Sequence, residues 1–328
     1  WEQFAGRTIL VSGAAGFLPS YFVYSLLQLN EKYPSFNCKV IGMVRGQGSV
    51  KLRLSPLLEN PNLQVVEQDV SKPFNHDGPI DFIVHGASYA SPKYYAQDPA
   101  GTLLPNMLGT YQLLELARKK KSQNFLFISS GEVYGVVHHE IQAIGENDYG
   151  LVDPTKVRSC YAEGKRVGEN LCVNWSHQFE VPTKIVRPFH TYGPGLKLDD
   201  GRVYADFIAD IVAQRDIVLK SSGAAVRSFC YVADAIRGFF TVMLKGKNAE
   251  AYNVGNLSEA HSVAELAEAL VALYPERNIK VRREARETSY LESPIPRNCP
   301  NVEKARALGW KPRYTIEEGF RKTIETYL

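Results

Sequence analysis

Tyr161 and Lys165 stand four residues apart in YAEGKRVGENL (161–171), a stretch with helical patterning, so both project from one helix face. Tyrosine is a poor base at neutral pH. A neighbouring ammonium favours the phenolate and is expected to lower its pKa, which would make this pair an acid–base device. Taken alone, such a pair is common on helix surfaces. Two further constellations give it meaning. SSGEVYG (129–135) follows an apolar run and offers the Ser130 hydroxyl to a substrate oxygen and the Glu132 carboxylate as a base. Gly13-Ala14-Ala15-Gly16 lies between another apolar run and a helical pattern. There the backbone can turn tightly and approach a pyrophosphate at a helix N-terminus, where N–H groups and the dipole favour an anion.

The elements that must hold these groups are legible as alternation. Short apolar runs occur at RTILVS (7–12), KVIGMV (39–44), LQVVEQ (63–68), DFIVHGA (81–87), FLFISS (125–130) and TKIVRP (183–188). Amphipathic stretches such as NMLGTYQLLELARKK (106–120) separate them. Strands alternating with helices predict right-handed βαβ units, and near-continuous apolar strands predict a parallel sheet covered on both faces. The expected fold is α/β: a Rossmann-type doubly wound sheet with a smaller, mixed C-terminal lobe for substrate. The expected division is residues 1–188 for the dinucleotide-binding domain, with later returns of the chain, and mainly 189–328 for the lobe. Ser130 then falls at the strand ends where such sheets bind ligands.

Two positions depart from the dinucleotide pattern. Pro19 stands where a third glycine would let helix and strand pack closely, although a proline in a first helical turn forfeits no needed hydrogen bond. The second strand ends on Val44 and Arg45, where an acid would bind the adenosine ribose. Arg45 either meets a 2′-phosphate or covers the adenine, so NAD is the expected cofactor with NADP as the alternative. Asp69, followed by Val70 after the third strand, either binds the adenine amino group or serves a turn. Phe17 and Leu18 continue the glycine loop toward the cofactor.

At this point the chain resembles the extended short-chain dehydrogenase/reductases that act on nucleotide sugars. GAAGFLPS, HGASYASPKYY, PNMLGTYQLLELA, SSGEVYG, CYAEGKR, RPFHTYGPG, DDGRV, RSFCYVADA, YNVGN and LGWKPRYTIEEG all fall in that family's order. The resemblance implies that Ser130, Tyr161 and Lys165 form the catalytic trio, with Lys165 also on the nicotinamide ribose. It implies that Asn106 helps hold the active site, that Ala87 and Ser88 flank the cofactor, and that Arg227 binds a diphosphate. Within the family, HGASYASPKYY, RSCYAEGKR, DDGRV and PRNCPNVEKARALGW are most similar to UDP-glucuronate decarboxylases. That likeness places Ser91, Pro92, Arg202 and Arg297 near the substrate. In 4,6-dehydratases of the family, the residue before the glutamate is an Asp that helps expel a hydroxyl. Here it is Gly131, which supplies no proton, while the retained Glu132 argues against a plain 4-epimerase. The expected function is a redox-neutral lyase that oxidises sugar C4 and then decarboxylates. A dehydratase or epimerase on the same scaffold, or a non-catalytic nucleotide-binding protein, are the alternatives. Family likeness also implies a homodimer through the helices near 100–120 and 158–175.

Composition narrows the partners. With 45% hydrophobic and 22% charged residues the chain is an ordinary globular one. Lys plus Arg at 38 against Asp plus Glu at 35 leaves +3, too small a charge to argue for nucleic acid or an anionic membrane. No apolar run approaches the ~18 residues of a membrane span, and the start shows no basic-then-apolar signal pattern, with Trp1 read as a trimmed start. Five cysteines without metal-ligand spacing, and a histidine pair (His138, His139) in a polar loop, predict a reduced cytoplasmic protein with no metal.

Overall fold

The computed structural model describes residues 1–46, 48, 50, 53–284 and 295–328. Its elements run β1 (Thr8–Ser12), α1 (Phe17–Lys32), β2 (Lys39–Val44), β3 (Leu63–Glu67), β4 (Phe82–His85), α2 (Pro92–Gln97), α3 (Pro99–Leu104), α4 (Thr110–Lys120), β5 (Asn124–Ile128), α5 (Cys160–Phe179) and β6 (Thr183–Pro188). Then follow β7 (Thr191–Tyr192), α6 (Val203–Val212), β8 (Ile217–Leu219), β9 (Val226–Ser228), β10 (Cys230–Tyr231), α7 (Val232–Lys245), β11 (Glu250–Val254), β12 (Ala260–Ser262), α8 (Val263–Ala272), β13 (Val281–Arg283) and β14 (Arg297–Asn298). Seven strands form one parallel sheet in the order β11-β6-β5-β4-β1-β2-β3.

Each strand read from the sequence is in the sheet. The seventh, β11, holds the start of the YNVGN motif and returns from beyond Pro188 to pair with β6. Alternate residues serve opposite faces. Ile9 and Val11 of β1 pack with Phe22, Val23 and Leu26 of α1, while Leu10 packs with Leu113 and Leu114 of α4 and Phe125 of β5. The order reverses between β1 and β4, which opens a crevice at their C-terminal ends.

The helix expected near 100–120 is broken for a local reason. Pro105 has no N–H to return to Gly101, and the chain answers with a π-turn over Pro105–Gly109 between α3 and α4. Past β6, smaller sheets build the lobe: β10 with β7, β12-β9-β14, and β13 with β8. Of these, β9 carries Arg227 to the crevice, and the loop before α6 brings Arg202 there.

Candidate active site

Gly13 takes φ +67°, and a Cβ there would stand 2.7 Å from Ala87 Cα. Only glycine lets the loop after β1 lie this close to the end of β4. Gly16 caps α1 with no side chain bonded across the first turn, so the helix N–H groups face the crevice. This cradle fits the pyrophosphate of a dinucleotide. Pro19 is accommodated by its neighbour: a Cβ on Gly86 would lie 2.4 Å from Pro19 Cγ. A glycine on β4's extension thus provides the room that glycine in the helix would otherwise give.

Beneath the loop, Ser12 Oγ lies 2.7 Å from His85 Nδ1, and His85 Nε2 lies 3.2 Å from the Pro105 carbonyl. A carbonyl can only accept, so Nε2 carries the proton and Ser12 donates to Nδ1. Burial, and then Lys165, push the His85 pKa down to about 3, so the ring is neutral. Ser12 Oγ in turn accepts the backbone N–H groups of Gly86 and Ala87. Asn106 Nδ2, in the π-turn, donates to Ser88 Oγ at 3.0 Å and to the Thr102 carbonyl at 2.8 Å.

A cleft of about 1050 Å³ runs along the strand ends. It gathers Gly16, Phe17, Leu18, Ser88, Pro92, Ser130, Glu132, Tyr161, Lys165, Arg202 and Arg227. Ser130 closes β5 and caps the short turn Gly131–Tyr134, accepting the Glu132 N–H at 3.2 Å. Tyr161 and Lys165 point from α5 toward it. Room for α5 comes from Gly164 and Gly168, where a Cβ would meet Asn106 Cβ at 3.2 Å and Phe127 Cζ at 2.4 Å.

The electrostatics correct one expectation. Burial pushes the Tyr161 phenol up to about 12, while the Ser130 hydrogen bond, then Arg202 and Arg158, pull the other way. Lys165 Nζ donates to the Ile128 carbonyl at 2.6 Å and sits 5.7 Å from the Tyr161 ring centroid. Burial lowers the Lys165 pKa to about 7, partly offset by Glu169 one turn on. The ammonium expected to activate the tyrosine is itself destabilised by the same dry environment.

Of the other assigned residues, Arg45, Asp69, Val70, Ser91 and Arg297 fall outside the cleft wall, while Arg202 and Arg227 line it. Arg45 is exposed and lays its guanidinium 4.4 Å from the Tyr89 ring centroid, with Tyr94 stacked behind at 4.3 Å. Asp69 is exposed and accepts the Ser71 N–H at 2.9 Å, a turn contact, and Val70 is buried beside Gly109. Ser91 donates to the Asp200 carbonyl, and Arg297 Nε donates to the Gln142 carbonyl at 2.8 Å. Arg202 pairs with Asp200 at 3.5 Å and donates to Tyr204 Oη and the Ala90 carbonyl. Arg227 donates to the carbonyls of Val226, Ile295 and Pro296.

Several groups at the site escaped the sequence reading. Arg158 pairs with Glu132 at 3.2 Å and lies over the Tyr95 ring, which stacks on Tyr161 with centroids 5.0 Å apart. Both residues sat in quoted motifs, RSCYAEGKR and HGASYASPKYY, but nothing in spacing joined them. Behind the catalytic face, Arg187 of β6 bonds Glu169 at 2.6 Å, and Glu169 accepts from Ser129 at 2.5 Å.

A Rossmann-type sheet, a glycine cradle and a Ser-Tyr-Lys face define a nicotinamide-dinucleotide enzyme of the short-chain type. The chain belongs to the NAD dependent epimerase/dehydratase family, whose model matches residues 9–255. It is 36% identical over 315 residues to UDP-glucuronic acid decarboxylase 6 of Arabidopsis thaliana, covering 95% of this chain and 86% of that one. It is 31% identical over 323 residues to UDP-glucuronic acid decarboxylase 1 of Danio rerio, covering 98% and 72%. Among solved structures, UDP-glucose 4-epimerase of Thermotoga maritima superposes with a TM-score of 0.82 at 23% identity, covering 98% of each chain. UDP-glucuronic acid 4-epimerase of Bacillus cereus, in complex with UDP-glucuronic acid and NAD, superposes at 0.80 with 24% identity, covering 98% and 99%. These two likenesses show the fold. Among the described residues, no helix is long and apolar enough to cross a membrane, and no cluster of residues is suited to a metal ion.

Proposed function

We propose that this protein is a UDP-glucuronate decarboxylase that uses NAD. The observation that carries the reading is the catalytic face itself: Tyr161, Ser130 and Glu132 converge, while Gly131 brings no acid. Dehydration needs a proton for the leaving hydroxyl. Loss of CO₂ from a β-keto acid does not, because the ketone already stabilises the electrons left behind. Identity of 31–36% to UDP-glucuronic acid decarboxylases over nearly the whole chain supports the same reading.

Gly13, Gly16, Phe17 and Leu18 would hold the pyrophosphate end of the dinucleotide, with Ala87, Ser88 and Asn106 along its flank and Lys165 at the nicotinamide ribose. Bound there, it supplies a hydride acceptor and later a hydride donor. Arg45, with no acid beside it at the end of β2, would cover the adenosine end. Its place on Tyr89 suits stacking on the adenine more than pairing with a 2′-phosphate, which favours NAD over NADP.

Tyr161 takes the proton of the C4 hydroxyl, with Ser130 donating to the same oxygen. The fields of Arg202 and Arg158 offset part of the cost of a buried phenolate. Arg202, which acts on Tyr161 and also lines the cleft, is placed for the sugar carboxylate. Once C4 is a ketone, the carboxylate on C5 is β to it and leaves as CO₂, and the enolate left behind takes a proton at C5 from solvent in the open cleft. Tyr161 returns its proton when C4 is reduced again. Arg227 serves the diphosphate. Ser91 and Arg297 act indirectly, by fixing the Asp200 loop and the Gln142 loop. Residues 1–188 with β11 are the dinucleotide-binding domain, and the remainder of 189–328 is mainly the sugar lobe.

The exposed Leu104, Leu108 and Tyr111 on α3, the π-turn and α4, with Val167 and Val173 on α5, support a homodimer through these helices. Five free cysteines, four of them buried, suit a reducing cytoplasm. The test of function is mass spectrometry of UDP-glucuronate incubated with the protein and NAD. Loss of CO₂ is expected. Unchanged mass with a new chromatographic peak would make it an epimerase, and loss of water from UDP-glucose a dehydratase.

A further inference from the structure

For its oxygen to reach a sugar hydroxyl, the Tyr161 ring must hold one orientation, and the torsion that turns a phenol ring is a soft one. A hydrogen bond with Ser130 fixes the oxygen but not the plane of the ring. Tyr95 of α2 supplies the plane. It is buried, lines the cleft and stacks on Tyr161, with ring centroids 5.0 Å apart and planes 17° from parallel. Cys160, the first residue of α5, directs its thiol at the Tyr95 carbonyl at 3.9 Å, which ties α2 to the helix that carries Tyr161.

Arg158 sits in the turn Val157–Ser159 ahead of α5. It lies over the Tyr95 ring at 4.7 Å and pairs with Glu132 at 3.2 Å. Glu132 in turn donates its backbone N–H to Ser130 Oγ at 3.2 Å. The contacts therefore close on themselves: Ser130 to Tyr161, Tyr161 to Tyr95, Tyr95 to Arg158, Arg158 to Glu132, and Glu132 back to Ser130. Each aromatic or cation–ring contact is modest by itself. Closure is what restrains, because no member can turn without leaving two neighbours. The circuit joins the end of β5, the start of α5 and α2, so it also fixes these elements to one another.

Burial first, then the charges of Tyr161 and Glu132, holds the Tyr95 phenol well above the usual tyrosine range, so it offers the reaction no base. Its part belongs to the ring. We propose that Tyr95 is a positioning residue, an aromatic platform clamped by Arg158 that sets the plane of the Tyr161 ring so that its oxygen meets the sugar C4 hydroxyl. The inference rests on the reading of Tyr161 as the group that takes the C4 proton, and not on whether CO₂ is then lost.

The test is steady-state turnover of UDP-glucuronate with NAD by the whole protein and by Tyr95→Phe, Tyr95→Leu, Arg158→Met and Arg158→Lys, with NAD affinity measured by calorimetry. Phenylalanine keeps the platform, so its kcat should stay within about twofold of wild type. Leucine removes it, and kcat should fall about tenfold to a hundredfold, the cost of misplacing a reacting group by a fraction of its reach. KM and NAD affinity should be unchanged in both, which separates positioning from a general loosening of the cleft. Both Arg158 variants should lose kcat, because a lysine keeps the charge but not the flat guanidinium over the ring. A Phe variant as impaired as the Leu variant would overturn the inference, since the hydroxyl and not the ring would then be in use. So would a Leu variant with full kcat, or one whose loss lies in KM or NAD affinity. Should Tyr95→Leu fail to fold, the part-exposed Arg158 carries the test, and full kcat in Arg158→Lys would overturn the clamp. Wild type that converts UDP-glucuronate without releasing CO₂ overturns the decarboxylase reading alone, and the same comparison is read on the product formed. Wild type that turns over neither UDP-glucuronate nor UDP-glucose overturns both.

Discussion

Lys165 places an amine where water does not reach. It is 3% exposed, donates to the Ile128 carbonyl, and has a pKa lowered by burial to about 7. A pKa depressed in the folded state means that the unfolded chain holds the proton more tightly. Between pH 7 and the ordinary lysine value the unfolded state binds more protons, so this group makes stability rise with pH across that window. Below pH 7 a buried ammonium is carried at a cost. Lys165→Met removes both the cost and the slope. The variant should gain most over wild type near pH 6 and least near pH 10, by up to about 1.4 kcal/mol for each pH unit crossed. Denaturant unfolding of both proteins at several pH values measures it. A gain independent of pH would mean that Lys165 titrates like a surface lysine. The same comparison cancels Lys184, whose pKa burial lowers to about 8 in both proteins.

At the scale of elements, the junction of β1, α1 and β4 shows how a departure in sequence is absorbed. Pro19 fills space that a glycine would leave open, and Gly86 vacates the space opposite. Gly86→Ala should drive a methyl into the Pro19 ring at 2.4 Å, and the rigid ring cannot turn aside. Overpacking of this kind costs roughly 1–3 kcal/mol, and here it would also push the glycine loop away from its cofactor geometry. The expected result is weaker NAD binding and a lower Tm. Adding Pro19→Gly should restore NAD affinity, which a calorimetric double-mutant cycle detects as strong coupling. Additive effects would show that the two residues do not share this space. The π-turn at Pro105 is the other local device: by breaking the α3–α4 run it turns Asn106 toward Ser88 and keeps α5 close through Gly164 and Gly168.

At the scale of the molecule, the apolar residues that α3, α4 and α5 leave exposed lie on helices that pack against each other beside the catalytic face. In a homodimer they would be buried and would stiffen α5, which carries Tyr161 and Lys165. Leu108→Glu should shift the protein to monomers in analytical ultracentrifugation and lower kcat more than it raises KM. An unchanged oligomeric state would direct attention away from this face. The lobe has its own work at this scale. Arg202 and Arg227 come from the loop before α6 and from β9, and only the return of the chain through these small sheets brings them to strand ends built from the first half.

The sequence by itself determined the sheet, the glycine cradle, the Ser130–Tyr161–Lys165 face and the family. Each of these rests on short-range pattern: apolar runs at strand length, a glycine turn between strand and helix, an i to i+4 pair, and motifs in a fixed order. Tertiary structure decided what lies far apart in the chain. β11 joined the sheet only by pairing with β6. Arg158 met Glu132, Tyr95 stacked on Tyr161, and Gly86 made way for Pro19 through contacts that no local periodicity encodes. The sign of the Tyr161 shift also belongs to the fold, because desolvation depends on everything packed around the phenol, whereas spacing showed only that a lysine was near.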